Sequence, residues 1–179
     1  MDLKEVTKDS KEIFKGRILR LRVDTVELPD GSQGTREIVE HNGAVAIIAL
    51  DDEGRLKMVR QYRKAAEMIM LEIPAGTLET GEDPLDCARR ELEEETGLKA
   101  RHWEKILSYY SAPGFCNEVL HLYLARDLYP GEKNPDEDEF LELVDITLEQ
   151  AYHMIFQGQI CDGKSIIGIQ YAYYRMERT

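Results

Sequence analysis

The sequence predicts an α/β fold in which helices cover both faces of a mixed β-sheet and a separate β element precedes that sheet. Three observations support this prediction. Strand-like segments with alternating or continuous apolar residues occupy much of the chain. A helix with clear end signals interrupts them between Asp83 and Gly97, and two more helical segments follow Thr147. Strands interspersed with helices favour a sheet with helices packed on both sides.

Residues 1–42 are predicted to form the N-terminal β element. Apolar residues alternate with arginines between Gly16 and Leu28, and the turn-forming segment Pro29–Gly31 follows. This pattern indicates a β-hairpin, with Thr35–His41 as the returning strand.

Residues 43–179 are predicted to form one domain that carries the main sheet. The segment from Ala44 to Leu50 is apolar throughout, which is typical of a strand buried on both faces. The other predicted strands of this domain are Leu56–Tyr62, Ile69–Ile73, Ile106–Tyr110, Val119–Ala125 and Leu141–Ile146.

The helices are predicted from their end signals. Asp83-Pro84 supplies a capping side chain and a first-turn proline, and Gly97 is a typical helix terminator. Thr147–Gln150 matches a capping box and opens a second helix that Gly158 closes. A last helix is expected from about Ser165 to Met176.

The first helix carries an unusual arrangement of carboxylates. Between Gly76 and Leu98 the chain reads Gly-x5-Glu-x7-Arg-Glu-Leu-x-Glu-Glu-x-Gly-Leu. At about 100° per residue, Glu91, Glu94 and Glu95 share one side of the helix, whereas Glu93 points away and is expected to be solvated. An adjacent apolar stripe is formed by Leu85, Ala88 and Leu92.

These carboxylates predict a divalent-metal site. Like charges on neighbouring helical turns repel one another, and a dication removes that repulsion. Oxygen ligands without nearby His or Cys favour Mg²⁺ or Mn²⁺ over zinc, and Mg²⁺ commonly binds substrate phosphate as well. Arg90 lies one turn before Glu94 and can pair with it.

The same motif resembles the Nudix box at every specified position. The matching residues are Gly76, Glu82, Arg90, Glu91, Leu92, Glu94, Glu95, Gly97 and Leu98. The resemblance implies a Nudix α/β/α sandwich and metal-dependent hydrolysis of a nucleoside diphosphate linked to another moiety.

Segments outside the box resemble the bacterial ADP-ribose pyrophosphatase branch of that family. These segments are Arg36–His41, Gln61–Arg63, Glu72–Gly76 and Tyr110–Phe115, the last followed by Glu118. The resemblance implies hydrolysis of ADP-ribose to AMP and ribose 5-phosphate. Two alternatives stay open at this stage, namely a hydrolase of a GDP- or UDP-sugar and a Nudix-fold sensor that binds a nucleotide without cleaving it.

The resemblance also assigns residues to the metal and to catalysis. The implied metal ligands are the backbone carbonyl of Ala75 and the side chains of Glu91, Glu94 and Glu95, with Glu94 a ligand or a bridge to a second ion. Glu82 either supports the site or binds metal, and Arg90 completes the box. The acidic segment Pro135–Glu139 supplies the catalytic base or a further ligand, and the sequence does not separate Glu137 from Glu139.

Substrate-binding residues are implied in the same way. Arg36 and Glu37 align with residues that hold the nucleotide end, and Arg63 with one that contacts the diphosphate. The loop residues Ser111, Pro113, Gly114 and Glu118 complete the set. Arg17 occupies a position where some relatives stack the adenine on an aromatic side chain, which is a departure from the branch pattern.

Composition limits the classes of partner. The 179-residue chain has a formal charge of −12 and no basic stripe, which argues against nucleic-acid binding, and no segment has the apolar length of a membrane span. An odd number of cysteines, Cys87, Cys116 and Cys161, is typical of free thiols, and we expect a cytoplasmic protein. The resemblance implies a homodimer that exchanges the N-terminal β elements, with Arg17 serving the neighbouring site.

Overall fold

The computed structural model describes residues 2–134 and 139–176 and has the predicted α/β fold with a mixed sheet. The strands of the described residues are β1 (Val6–Lys15), β2 (Leu19–Glu27), β3 (Gln33–His41), β4 (Ala44–Leu50), β5 (Arg55–Arg63), β6 (Met68–Glu72), β7 (Ala75–Thr77), β8 (Leu98–Tyr110), β9 (Val119–Pro130) and β10 (Glu142–Thr147). The helices are α1 (Pro84–Thr96), α2 (Leu148–Phe156) and α3 (Gly163–Met176).

The chain forms two compact units. One unit comprises the chain up to Gly43 together with Tyr109–Val119, and the other comprises Ala44–Ser108 and the chain from Leu120 onward.

The first unit is built on an antiparallel three-stranded sheet in the order β1-β2-β3. The predicted hairpin is confirmed, because β2 pairs with β3 from Leu19–His41 to Glu27–Gln33 around a turn in which Gly31 has a φ of 84°. Strand β1 was not predicted. Most of its side chains are polar and all of them are exposed, so no apolar alternation indicates it, and its extended shape comes from pairing with β2.

The segment from Ser111 to Glu118 is fastened to β3 in the same unit. The amide of Val39 donates to the carbonyl of Phe115 at 2.7 Å, and the amide of Asn117 donates back to the carbonyl of Val39 at 3.1 Å. The Asn117 side chain accepts a hydrogen bond from the His41 amide at 2.8 Å. These bonds hold the predicted substrate-binding loop at a fixed register against the strand that carries Arg36 and Glu37.

The second unit contains the main sheet, in the order β10-β5-β4-β9-β8 with β6 paired to β5 and β7 paired to β4. The sheet is mixed, because β9 runs parallel to β4 while β5 and β7 run antiparallel to it. Every residue of β4 is buried, as its apolar sequence predicts.

Helices α1 and α3 pack against opposite faces of β4. Val45, Ile47 and Ala49 form a core with Ala88 and Leu92 of α1, against which Leu85 also packs, so the predicted apolar stripe is confirmed. On the other face, Gly168 of α3 lies so close to Ile48 that any side chain at this position would overlap it.

The helix ends agree with the sequence signals. Asp83 caps α1 by accepting a hydrogen bond from the Leu85 amide at 2.8 Å, and Gly97 ends the helix with a φ of 71°. Thr147 and Gln150 form the predicted capping box of α2. Helix α3 begins at Gly163, slightly before the expected start.

Strand β8 is the main element whose extent was predicted wrongly. It begins at Leu98, directly after the end of α1, rather than near Ile106. Its first half is rich in polar residues and lies at the edge of the sheet, where charged side chains are common, so a search for buried alternation misses it.

Across residues 2–134 and 139–176, none of the helices has the length and apolar character needed to cross a bilayer.

Candidate active site on helix α1

Glu91 lies against the backbone of Gly76. Strand β7 brings Gly76 beside α1, and a Cβ atom built on this glycine would overlap the carboxylate carbon and both carboxylate oxygens of Glu91. Gly76 has no positive φ, so its role here is to leave space. The first glycine of the motif therefore makes room for one of the predicted metal ligands.

Glu95 is held by the residue next to that glycine. Its Oε2 accepts a hydrogen bond from the Ala75 amide at 3.1 Å, and the residue is only 2% exposed. Adjacent residues of β7 thus contact two glutamates one turn apart on α1. Such packing lets the backbone of β7 and carboxylates of α1 face the same small volume.

Arg90 donates hydrogen bonds to three carboxylates, one of which belongs to Glu91. Its Nε and Nη2 donate to Glu82 at 3.0 and 3.2 Å, while Nη1 donates to Glu91 at 2.7 Å and to Glu94 at 2.9 Å. The predicted pairing of Arg90 with Glu94 is confirmed. Glu82 also accepts a hydrogen bond from the Glu79 amide at 2.9 Å, so the loop before α1 is fastened to the helix through this residue.

Burial and ion pairing shift the pKa values of these carboxylates in opposite directions. Burial raises the pKa of Glu91 to about 7, against the opposing effect of Arg90. Burial and the charge of Glu91 raise the pKa of Glu95 to about 8. By contrast, the hydrogen bonds from Arg90 lower the pKa of Glu82. A bound cation would offset the cost of burial and favour the ionised forms of Glu91 and Glu95.

The donor set fits a hard divalent cation. Carboxylate oxygens dominate it, and such oxygens are the ligands that Mg²⁺ and Mn²⁺ prefer. Within the described parts of the chain, no three His, Cys, Asp or Glu side chains are yet gathered into a complete cation site. Arg90 pairs with Glu82, Glu91 and Glu94 in this arrangement.

Arg63 lies at the end of β5 and pairs with Glu72 at the end of β6. Its Nε and Nη2 both donate to Glu72 at 2.8 Å. The charge of Arg63 also acts on Glu95, whose pKa it lowers against the effect of burial. Nη1 takes no part in the pairing with Glu72.

Of the two candidate bases, Glu137 and Glu139, the structure describes only Glu139. Glu139 is exposed, and its negative charge contributes to the raised pKa values of both Glu91 and Glu95. Glu137 lies outside the described residues.

The predicted substrate residues of the first unit are mostly accessible. Arg36 forms a bidentate ion pair with Glu5, at 2.9 and 2.5 Å, while Arg17 and Glu37 are exposed. Arg36 is therefore engaged in a salt bridge at the protein surface.

The loop after β8 forms the turn that its proline and glycine predict. The Ala112 carbonyl accepts hydrogen bonds from the amides of Phe115 and Cys116 at 3.1 and 2.9 Å, which closes the loop around the exposed residues Pro113 and Gly114. At the loop base, the Ser111 amide donates to the Glu118 carbonyl at 3.2 Å. The Glu118 carboxylate lies 3.4 Å from Nδ1 of His41.

One prediction about α1 was wrong. Glu93 points away from the other glutamates, as expected, but it is not simply solvated. It pairs with Lys99 at 2.9 Å and accepts a hydrogen bond from the Glu132 amide at 3.1 Å, and Lys99 lowers its pKa. Its carboxylate therefore fastens the start of β8 and the segment after β9 to α1.

Lys164 is a site-proximal residue that the sequence did not indicate. It pairs with Glu72, from which it is separated by 92 residues. The only local signal is Asp162, a typical helix-capping residue just before α3, and this signal does not reveal a partner so distant in sequence.

Comparison with known proteins agrees with this geometry. A family model described as NUDIX domain matches residues 40–165, and one described as nucleoside diphosphate sugar hydrolase N-terminal domain matches residues 5–39. A Bacillus methanolicus protein named methanol dehydrogenase activator is 48% identical over 93% of this chain and 91% of its own. The ADP-ribose pyrophosphatase of Bacillus subtilis strain 168 is 46% identical over 94% of this chain and 92% of its own.

A solved structure described as an ADP compounds hydrolase has the same fold. It superposes with a TM-score of 0.86 and covers 97% of this chain and 95% of its own, at 22% sequence identity. At that identity the match establishes the fold alone.

Proposed function

The chain belongs to the Nudix family, and we propose that it is a magnesium-dependent hydrolase that cleaves the pyrophosphate of ADP-ribose to AMP and ribose 5-phosphate. The observation that carries the proposal is the packing of Glu91 and Glu95 against Gly76 and Ala75. The B. subtilis relative, named ADP-ribose pyrophosphatase, supports the choice of substrate.

Nudix hydrolases generally use divalent metal ions, and the residues of α1 and β7 fit one. Ala75, Glu91, Glu94 and Glu95 would hold it, and Mn²⁺ is expected to substitute for Mg²⁺ because both accept carboxylate oxygens. When bound, the ion supplies charge compensation to the phosphate oxygens and activates water.

The protein's own groups bind and orient the substrate. In the proposed mechanism Arg63 contacts the diphosphate, since a planar guanidinium meets phosphate oxygens in pairs. Arg36 and Glu37 hold the nucleotide end, assisted by Arg17 and by the loop residues Ser111, Pro113, Gly114 and Glu118. Arg90 and Glu82 keep the glutamates of α1 in place.

Glu139 is proposed to accept the proton of the attacking water, with Glu137 as the alternative base. Support comes from the negative charge of Glu139, which contributes to the raised pKa values of Glu91 and Glu95.

We also propose that the protein acts as a cytoplasmic homodimer without nucleic-acid or membrane partners. The exposed strand β1, with apolar side chains such as Val6, Ile13 and Phe14 in contact with solvent, supports a partner for this element. A second copy of the chain is the partner that the family resemblance implies. Sedimentation as a monomer at micromolar concentration would contradict it.

Another nucleoside diphosphate sugar is the second candidate substrate. The family model that matches residues 5–39 is described as a nucleoside diphosphate sugar hydrolase N-terminal domain. In addition, Arg17 stands where some relatives carry an aromatic residue. The same metal chemistry would serve a GDP- or UDP-sugar with a different base pocket.

A substrate panel with product identification tests the proposal. ADP-ribose, GDP-mannose and a UDP-sugar are incubated with the protein and Mg²⁺, and the products are identified by mass spectrometry. We expect AMP and ribose 5-phosphate, with the highest kcat/KM for ADP-ribose. Preferred cleavage of a GDP- or UDP-sugar would establish the second candidate, and nucleotide binding without turnover would overturn both.

A further inference from the structure

Four charged side chains form a cluster around the buried carboxylate of Glu72 next to β7, here called the Glu72 cluster: Glu72, Arg63, Lys164 and Asp162. Glu72 is 1% exposed and accepts two hydrogen bonds from Arg63. Lys164 pairs with the same carboxylate and lies 2.9 Å from Asp162. Burial disfavours the charge of Glu72, but Arg63 and Lys164 outweigh this effect, so its pKa is lowered.

A second link joins α3 to the residue after Glu72. The amide of Ile73 donates to Oγ of Ser165 at 2.9 Å, and this hydroxyl donates to Asp162 at 2.5 Å. Ser165 is fully buried. The start of α3 is therefore fastened to the side chain of Glu72 and to the backbone of Ile73.

The next residues along the chain belong to the candidate metal site. The Pro74 carbonyl accepts a hydrogen bond from the Ile47 amide at 2.8 Å, the Ala75 amide binds Glu95, and Gly76 lies under Glu91. The Ala75 carbonyl can face a cation only while this short segment keeps its position. Its two ends are fixed by different elements, α3 before it and α1 after it.

Lys164 offsets the negative charge of Glu72, the residue that precedes the Ile73–Gly76 segment. The Glu72 cluster contains two carboxylates and two cations, and removal of Lys164 leaves a buried negative charge in excess. Removing one partner of a buried ion pair is destabilising, because it leaves charge uncompensated. A shift of Glu72 that relieves this cost would also shift the backbone attached to it. Glu72 lies only three residues before Ala75.

We infer that Lys164 is a positioning residue for the divalent-cation site, acting through Glu72 and the Ile73–Gly76 backbone. The inference rests on the proposed function, because it assumes that the box glutamates and Ala75 bind the ion. Supporting residues outside the ligand set typically change metal affinity by about 10- to 100-fold.

The experiment measures binding of Mn²⁺ alone to the full chain by electron paramagnetic resonance, without substrate. Lys164→Met is expected to bind Mn²⁺ at least about tenfold more weakly. Lys164→Arg, which keeps the charge, is expected to restore most of the affinity. In steady-state assays, Lys164→Met should need more Mg²⁺ for half-maximal activity than the wild type.

Lys57→Met is the matched control for a general loss of stability. The Lys57 side chain is 11% exposed, compared with 10% for Lys164, and it also pairs with two carboxylates, Asp51 and Asp145. Its ion pairs lie at the start of β5, away in sequence from Glu72–Gly76. We expect Lys57→Met to lower the melting temperature but to bind Mn²⁺ normally.

Two results would overturn the inference. One is an unchanged Mn²⁺ affinity in Lys164→Met, and the other is an equal loss in Lys57→Met. If Lys164→Met does not fold, Ser165→Ala tests the inference instead. This substitution removes the acceptor of the Ile73 amide with little change in side-chain volume. Wild-type Mn²⁺ affinity in Ser165→Ala would overturn the inference. Failure of the unaltered protein to bind Mn²⁺ would overturn the proposed function as well, which separates the two claims.

Discussion

The carboxylate of Glu91 occupies the space that a side chain on Gly76 would need. This relationship links a loop glycine to a helical glutamate, and it explains why the motif begins with a glycine 15 residues before the acid. A change at Gly76 should therefore affect the chemistry more than the fold.

Gly76→Ala is expected to displace the Glu91 carboxylate. The methyl group overlaps the end of a side chain, which can rotate away, so the fold should persist with a small change in melting temperature. Activity should fall about a hundredfold, because a displacement of about 1 Å at a catalytic group has this effect. The measurement is kcat with saturating Mg²⁺, together with a thermal melt.

Gly163→Ala is the control for Gly76→Ala. A Cβ at Gly163 meets no atom within 4 Å, and its φ is not positive. This variant should keep wild-type activity. Full activity in Gly76→Ala would contradict the role given to the Gly76 and Glu91 contact.

Arg90→Met is expected to leave Glu82, Glu91 and Glu94 without their shared cation. Their mutual repulsion should lower the melting temperature without metal by about 4 °C, which corresponds to roughly 1–2 kcal/mol for a chain of this size. Added Mg²⁺ should recover much of this loss, since a dication offsets the same charges. Thermal melts with and without Mg²⁺ measure both effects.

Arg89→Met provides the comparison for Arg90→Met. Arg89 pairs with Asp86 on the exposed side of the same helix, and exposed pairs contribute about 0–1 kcal/mol. Its melting temperature should change little, and Mg²⁺ should raise it no more than in the wild type. Equal behaviour of the two variants would remove the special role of Arg90.

Glu72→Gln is expected to change how stability depends on pH. Although burial opposes its charge, Arg63 and Lys164 lower the pKa of Glu72 in the folded protein. The ionised group therefore stabilises the fold at neutral pH, and this contribution is lost as the pH falls below the unfolded value of about 4.3 toward the folded value. At pH 7 the substitution should cost on the order of 3 kcal/mol, because it removes the buried carboxylate that pairs with Lys164, whose side chain is only 10% exposed.

The measurement is urea unfolding of the wild type and Glu72→Gln at pH 7, 5 and 3. The difference in unfolding free energy should shrink at pH 3, where the carboxylate of the unfolded wild type is mostly protonated. Glu53→Gln, at an exposed residue paired with Arg55, is the control and should show no such convergence. A constant difference across this range would contradict the assignment.

The sequence predicted those features that depend on neighbours along the chain. The caps at Asp83 and Thr147, the end of α1 at Gly97, the buried strand β4 and the pairing of Arg90 with Glu94 all follow from local spacing, and all are confirmed.

Features that depend on tertiary pairing were missed. Strand β1 is extended because β2 pairs with it, and Glu93 binds Lys99 and the Glu132 amide rather than water. The contact between Lys164 and Glu72 joins residues 92 positions apart, and no local pattern encodes it. The space at Gly76 likewise becomes meaningful only once β7 lies beside α1.

The central claim is that the carboxylates of α1 gather a divalent cation for hydrolysis, and one pair of variants tests it most directly. Glu95→Gln removes a buried carboxylate that binds the Ala75 amide, whereas Glu93→Gln alters a neighbour that pairs with Lys99. Mn²⁺ binding and ADP-ribose turnover are measured for both. We expect Glu95→Gln to stay folded, bind Mn²⁺ weakly and lose at least about a hundredfold in kcat, with Glu93→Gln close to wild type. Near-normal Mn²⁺ binding and turnover in Glu95→Gln would contradict the claim.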